Sequence, residues 1–291
     1  MIAQSFAPQP SSTAPDLSLI LPSYRDATRA LHSALSLGDF FASSSLSWEV
    51  VIVDDGGGDF GAEWQELEPI RLCRLEANRG KGAAVRAGML AARGQVRIYT
   101  DADLPYGMEL FQVITEYILE RGFHVVIGDR TLPDSSYALD VGWKRRVASS
   151  VYSRLVGKLV TGGFFDTQCG LKGFRGDVAE ALFSISRIDR FAFDAEIIYL
   201  SLLHRLDIKR VPVRLRRNES SSIRLFRDST KMFADTLGIK RNQLRGLYRS
   251  RELEEIVSRD HHAMSTKAII PRDSADEYGL VACDVPQNSS D

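Results

Sequence analysis

Two aspartates one residue apart, in Thr100-Asp101-Ala102-Asp103-Leu104-Pro105, follow a short run, Val96-Arg97-Ile98-Tyr99, that reads as a strand. A pair of carboxylates at the exit of a buried strand is costly unless something positive meets it. The simplest partner is a divalent cation that itself holds a phosphate, since Mg²⁺ and Mn²⁺ prefer hard oxygen ligands. Taken alone, the pair reads more readily as a solvated turn or a helix cap, where aspartate is favoured. The other acidic and basic residues of the chain decide between these readings.

The elements that must position the pair follow from hydrophobic patterning. Leu17 to Pro22 reads as a first strand and Ala27 to Leu37 as a helix. Trp48 to Val53 is a second strand, nearly continuous in apolar residues, as strands buried on both faces of a parallel sheet are. A short helix and a third strand, Ile70 to Leu75, precede the glycine-rich turn Asn78-Arg79-Gly80-Lys81-Gly82, which opens an alanine-rich helix to about Arg93. After the aspartate pair come a helix from Glu109 to Glu120 and the strand Val125-Val126-Ile127. This alternation predicts an α/β fold with a mostly parallel central sheet flanked by helices. Right-handed crossovers then put the loop after each strand on one edge, where open α/β sheets bind ligands.

That edge is where the charges fall. The first strand delivers Tyr24, Arg25 and Asp26, the second Asp54 and Asp55, the fourth Asp101 and Asp103, and the fifth Asp129 and Arg130. With Lys81 they suit a metal-bound nucleotide diphosphate. Gly80-Lys81-Gly82 at a helix start can hold phosphate through backbone amides, although a solvated lysine at a helix start fits as well. Asp55-Gly56-Gly57-Gly58 lacks the spacing of a dinucleotide-binding loop, and no P-loop pattern is present.

The residues resemble the family-two glycosyltransferases of the GT-A fold. The likeness rests on Pro22-Ser23-Tyr24-Arg25-Asp26, Val53-Asp54-Asp55-Gly56, Asn78 to Gly82 and Asp101-Ala102-Asp103, and it covers residues 17 to about 225. Three later stretches look like the branch that glycosylates polyprenyl or dolichyl phosphates: Asp166 to Lys172, Phe193-Asp194-Ala195-Glu196, and Val211-Pro212-Val213 with Ser220-Ser221-Ser222. Arg25-Asp26 stands where the family often has Asn-Glu, and Asp129 where it has serine.

The resemblance implies that Asp101 and Asp103 hold Mg²⁺ or Mn²⁺ against the diphosphate of the sugar donor, with UDP-glucose the first candidate. Pro22, Tyr24, Asp26, Asp54 and Asp55 would cradle base and ribose, while Lys81 and Arg130 would bring positive charge to the phosphates. A surface ion pair of Arg130 with Asp129 or Asp134 is the plainer alternative. Asp194 and Glu196 are the candidate bases for an inverting displacement. Two residues apart on one helix, they cannot share a face, so only one can enter the site. Gln168 and Lys172, after a polar turn, would face the donor sugar or acceptor phosphate, with Ser222 and Arg224 on the acceptor side. A lipid-phosphate acceptor is already anionic and needs no strong base. The same fold acting on a saccharide hydroxyl, or a catalytically idle nucleotide-sugar-binding or membrane-surface scaffold, remains an alternative.

Composition bounds the rest. The 291 residues are 44% hydrophobic and 26% charged, ordinary for a globular chain, with a net charge of −1. The charge is uneven: Arg205 to Arg251 holds 14 Lys/Arg against 4 Asp/Glu, and Glu252 to Asp291 holds 3 against 9. Residues 1–15 read as a disordered lead-in, 16–223 as the catalytic domain, 224–258 as a basic amphipathic helical extension, and 259–291 as an acidic disordered tail. The extension fits an anionic membrane surface or a charged helix packed on the catalytic domain. No recognition motif accompanies the charge, which argues against nucleic acid. Three scattered cysteines, Cys73, Cys169 and Cys283, and no apolar run of membrane-spanning length point to a cytoplasmic protein, at most peripheral to a membrane. Cys169 reads as a packed residue rather than a nucleophile, and no histidine pattern marks a metal site.

Overall fold

The computed structural model describes residues 14–61, 68–135, 166–190, 192–215 and 225–269, without side-chain detail for 225–234 and 262–269. Among the described residues, seven strands form one sheet in the order β3-β2-β1-β4-β6-β5-β7. They are β1 (Leu17–Ser23), β2 (Trp48–Asp54), β3 (Ile70–Arg74), β4 (Val96–Thr100), β5 (Val125–Asp129), β6 (Leu171–Arg175) and β7 (Ile208–Pro212). The helices are α1 (Ala27–Phe41), α2 (Lys81–Ala91), α3 (Glu109–Leu119), α4 (Gly176–Ile185), α5 (Phe193–Leu203), α6 (Leu225–Leu244) and α7 (Arg251–Ile269).

All pairings are parallel except those of β6, which runs antiparallel to both β4 and β5. The expected mostly parallel sheet is therefore present. In the β1–β2 pair every residue of Trp48–Asp54 is buried, and Leu17 pairs with Trp48 through to Ser23 with Asp54. Helix α1 covers one face with Ala30, Ala34, Leu37 and Phe41, spaced at three and four residues, and α2 covers the other with Ala84, Val85 and Met89.

Two strands escaped the sequence pattern. In β6, Lys172 and Gly173 interrupt the apolar run, so nothing in Leu171–Arg175 announces a strand. In β7 only Val211 of Ile208–Pro212 is buried, and its Pro212 marks an edge. The expected short helix before β3 lies largely outside the described residues.

The chain divides into a unit of residues 1–257 and a short unit of residues 258–291. Within the first, the segment read as a charged extension joins the core: Ile239, Tyr248, Leu253 and Ile256 are buried in the same cluster as Ile197 and Leu200 of α5. Helix α7 runs to Ile269, beyond position 259 where the acidic tail was expected to begin. No described helix is long and apolar enough to cross a membrane.

At the amino end of β2, Glu49 is 1% exposed and fastens three elements. It accepts from Ser18 Oγ at 2.6 Å, the Arg93 amide at 2.7 Å, Arg93 Nε at 3.0 Å and Arg71 Nη1 at 3.1 Å. Burial pushes its pKa up, but the Ser18 hydroxyl, the Arg93 amide and the two guanidinium groups outweigh it, leaving the pKa below its usual 4.5. A carboxylate with a depressed folded-state pKa adds stability above the unfolded value and loses it as pH falls through the folded one. Glu49→Ala is expected to lower unfolding free energy by about 1–3 kcal/mol, because it leaves the buried Ser18 hydroxyl and the Arg93 amide without their acceptor. Denaturant titration should show that deficit at pH 7 and show it shrinking as pH falls below 4.5.

Candidate active site

The carboxyl ends of β1, β2, β4 and β5 carry the charged residues to one edge of the sheet, as the patterning predicts. The Asp55 amide donates to the Ser23 carbonyl at 2.9 Å, which ties the β2 loop to that of β1. Pro22 lies half-buried within β1, opposite Val53. Beyond it, Tyr24 is 44% exposed with the Arg25 guanidinium 5.2 Å from its ring centroid. Asp26 pairs with Arg29 at 3.0 Å. Arg25 has φ 53° and Leu104 φ 47°, left-handed conformations that arginine and leucine rarely adopt. Such strained residues concentrate at ligand sites.

Asp54 and Asp55 are held by the backbone around them. Both are 3% exposed, and backbone amides take their oxygens. Asp54 accepts from Gly57 at 2.7 Å and Gly58 at 3.3 Å, and Asp55 from Arg79 and Gly80 at 2.8 Å each. They hold the loops of this edge in shape. Gly80, at φ 112°, completes the turn that starts α2, and a Cβ there would come within 2.7 Å of the Asp189 carbonyl.

That turn delivers Lys81, whose Nζ forms an ion pair with Asp101 Oδ1. Burial acts to lower the Lys81 pKa, but Asp101 first, then Asp194 and Asp103, outweigh it and leave the pKa raised. The lysine is held cationic between the β4 loop and α5. Four buried polar atoms gather nearby with no hydrogen-bond partner among the described residues. They are Ser23 Oγ at the end of β1, Thr100 Oγ1 at the end of β4, and Thr167 Oγ1 and Gln168 Nε2 in the turn before β6. Buried polar atoms are nearly always satisfied, so these four orphans on one edge are groups to which a bound ligand or ordered water can hydrogen-bond.

The Asp101-Asp103 pair fits a divalent cation by donor chemistry. Both side chains offer hard oxygens, and a Cβ at position 170 would come within 2.2 Å of Asp101 Oδ2, so glycine there is what lets the carboxylate take its place. No cluster of three acidic, histidine or cysteine ligands exists among the described residues. A cation here would draw its remaining oxygens from phosphates and water, as Mg²⁺ usually does.

Behind the pair, the two carboxylates of α5 take different partners. Asp194 Oδ1 accepts from Tyr99 Oη at 2.6 Å and from Lys172 Nζ. Lys172 is fully enclosed and also donates to the Cys169 carbonyl at 2.7 Å. Expected to meet sugar or phosphate directly, Lys172 instead sits in the wall, because β6 turns it inward against Tyr99. Burial, and then Asp194, raise the Tyr99 phenol well above its usual pKa, so it stays a donor. Glu196 points away from the site. Fully buried, it accepts from the Arg187 and Ile188 amides at 2.9 Å each and from the Tyr248 hydroxyl. Two residues along a helix is more than half a turn, so Asp194 and Glu196 face apart.

Arg130 pairs with neither Asp129 nor Asp134. Asp166, across the edge, takes its Nη2 at 2.6 Å and its amide at 2.7 Å. Burial opposes the charge on Asp166, but Arg130 overrides it and lowers the pKa. Asp129 binds the Thr131 amide at 2.7 Å and Arg210 at 3.1 Å. Cys169 is buried and burial pushes its thiol to about 11, which makes it inert packing. Ser222 and Arg224 lie outside the described residues. Tyr99, Asp166 and Thr167 gained no role from sequence: an aromatic in an apolar strand carries no signal, and Asp166 meets Arg130 only through the fold.

Replacing Lys172 by Met would leave Asp194 buried and uncompensated, a change that typically costs about 3–5 kcal/mol. Lys172→Met is expected to lose that stability in denaturant titration, and adding Asp194→Asn to recover much of it.

Several known proteins are similar to this chain. The family model described as Glycosyl transferase family 2 matches residues 18–183. A dolichyl-phosphate beta-glucosyltransferase of Dictyostelium discoideum is 31% identical over 249 residues, covering 80% of this chain and 76% of that protein. Among solved structures, mannosyl-3-phosphoglycerate synthase from Rubrobacter xylanophilus superposes with a TM-score of 0.59 at 16% identity, covering 80% of this chain and 75% of that one. Glucosyl-3-phosphoglycerate synthase from Mycobacterium tuberculosis, in complex with Mn²⁺, UDP and glucosyl-3-phosphoglycerate, superposes with a TM-score of 0.55 at 16% identity, covering 77% and 80%.

Proposed function

The chain belongs to glycosyltransferase family 2, and from that premise we propose that it transfers glucose, with inversion, from UDP-glucose to a dolichyl or related polyprenyl phosphate. The observation that carries the reading is the carboxyl edge itself: Asp101 paired with Lys81, beside four buried polar atoms that await a ligand. The name of the Dictyostelium relative supports the sugar and the acceptor. The UDP and Mn²⁺ of the mycobacterial structure support the nucleotide and the ion.

Asp101 and Asp103 would hold Mg²⁺ or Mn²⁺, which when bound supplies Lewis-acid stabilisation of the departing diphosphate. Lys81, kept cationic by the carboxylates around it, adds a second positive charge to that leaving group. Ser23, Thr100, Thr167 and Gln168 offer hydrogen bonds to the bound donor. The acceptor oxygen then attacks the anomeric carbon from the face opposite the diphosphate, which inverts the configuration.

An anionic acceptor asks least of Asp194. A general base needs a lone pair within reach of the proton it removes. Asp194 Oδ1 accepts from both Tyr99 and Lys172, which holds the carboxylate in a fixed orientation. A phosphate oxygen needs no such base, whereas a saccharide hydroxyl does. The described end of α6 and the turn after it expose Leu237, Leu244 and Leu247 among the exposed cations Lys240, Arg241, Arg245 and Arg249, a composition suited to anionic lipid.

Incubation with UDP-glucose, Mg²⁺ and a short polyprenyl phosphate is expected to yield a glucosylated lipid phosphate, read by thin-layer chromatography and mass spectrometry. Release of UDP with a saccharide acceptor alone would replace this reading with the hydroxyl-acceptor one. Asp103→Ala is expected to abolish metal-dependent UDP-glucose binding in calorimetry, and unchanged binding would remove the metal assignment. Flotation with vesicles should depend on anionic lipid and weaken as salt screens the cations.

A further inference from the structure

A cleft of about 410 Å³ opens beside the turn that carries Lys81, between α2 and the segment that follows α4. Arg79, Arg86 and Arg187 line it together with one carboxylate, Asp189. Arg79 Nη2 donates to Asp189 at 3.1 Å, and Arg86 donates to the same carboxylate and, at 3.4 Å, to the Ser186 carbonyl. Glu196, whose oxygens hold the Arg187 and Ile188 amides, lies close enough to feel the Arg86 charge. Even with both carboxylates ionised, the three guanidinium groups outnumber them.

Each guanidinium carries five N–H donors in a planar fork. The bonds to Asp189 and Ser186 occupy few of them. The Arg86 side chain is 17% exposed and fixed in the wall, whereas that of Arg79 is 57% exposed and open to solvent. The cleft is thus a cationic recess with one anchored and two accessible arginines, and such groups bind phosphate through parallel hydrogen bonds. Its lining contains neither Asp101 nor Asp103 nor Lys81, so it is separate from the sugar-donor edge.

We propose that this cleft is a second anion site, one that binds a phosphate monoester. The surrounding backbone is held independently of the arginine side chains. Asp55 grips the Arg79 and Gly80 amides, and the Asp189 carbonyl accepts from the Ala83 amide at 3.0 Å. Arg79 can therefore leave Asp189 for an incoming phosphate without unfolding the turn. The lining also includes Leu90, 36% exposed, and the buried Phe183. Leu90 gives an apolar chain attached to the phosphate a surface to lie on. Inorganic phosphate and the headgroup of a polyprenyl phosphate share the required chemistry.

The test is calorimetric titration of the full chain, without metal or nucleotide, with inorganic phosphate and separately with a water-soluble short polyprenyl monophosphate. Saturable binding is expected, weakened about tenfold or more by Arg79→Gln and by Arg187→Gln, and unchanged in Asp103→Ala. Tighter binding of the prenyl compound that Leu90→Ser reverses assigns the site to a lipid headgroup, and equal affinities assign it to small phosphates. In the unaltered protein, phosphate should also slow phenylglyoxal modification of Arg79 and Arg187, located by mass spectrometry. No saturable binding of either probe, equal affinity in the arginine variants, loss in Asp103→Ala, or unprotected arginines would overturn the proposal. None of these readouts depends on glucosyl transfer, so a failure of that reaction is distinguishable from a failure of this site.

Discussion

Lys172 and Asp194 share a space from which water is excluded, and the catalytic edge depends on that pairing. Neither charge would be tolerable there alone, because an isolated buried ion loses its hydration with nothing in return. Together, with the Tyr99 hydroxyl and the Cys169 carbonyl supplying further hydrogen bonds, they join β4, the turn before β6, β6 itself and α5. The negative charge of Asp194 also reaches Lys81, so the buried pair helps set the charge of the residue that faces the edge.

The same economy governs the loops. Asp54 and Asp55, at the exit of the most buried strand, spend their oxygens on the amides of residues 57, 58, 79 and 80. Asp166 does the equivalent for Arg130, receiving both its backbone amide and its guanidinium. These carboxylates fix the backbone of the edge, on which the unsatisfied hydroxyls of Ser23, Thr100 and Thr167 also lie. Preorganisation of this kind reduces what must be rearranged when charge develops on a leaving group.

Glu196 extends the organisation to the C-terminal part of the first unit. It binds the amides that begin the Arg187–Asp189 segment and the Tyr248 hydroxyl. Asp189 in turn receives Ala83 and the side chains of Arg79 and Arg86. The region beyond α6 is thereby connected, by contiguous hydrogen bonds, to the turn that presents Lys81. A segment whose charge marks it as a surface helix contributes Ile239, Tyr248 and Leu253 to the core, because their side chains return on the face that meets α5.

The sequence by itself determined the order of strands and helices from β1 to β5, the edge where their charges collect, and the family. Period, apolar runs and the Asp101-Asp103 spacing are local properties, legible without a fold. It also set the choice between Asp194 and Glu196 as exclusive, since helical geometry separates them. Tertiary structure decided what no local pattern encodes. It gave Asp194 and Glu196 different partners, hid β6 and Lys172 in the sheet, matched Arg130 to Asp166 over 36 residues of chain, and turned Asp54 and Asp55 onto amides. A carboxylate at a strand end reads alike whether it meets a ligand, a guanidinium or a backbone N–H, and only the packing of distant segments fixes which of these lies within hydrogen-bond reach.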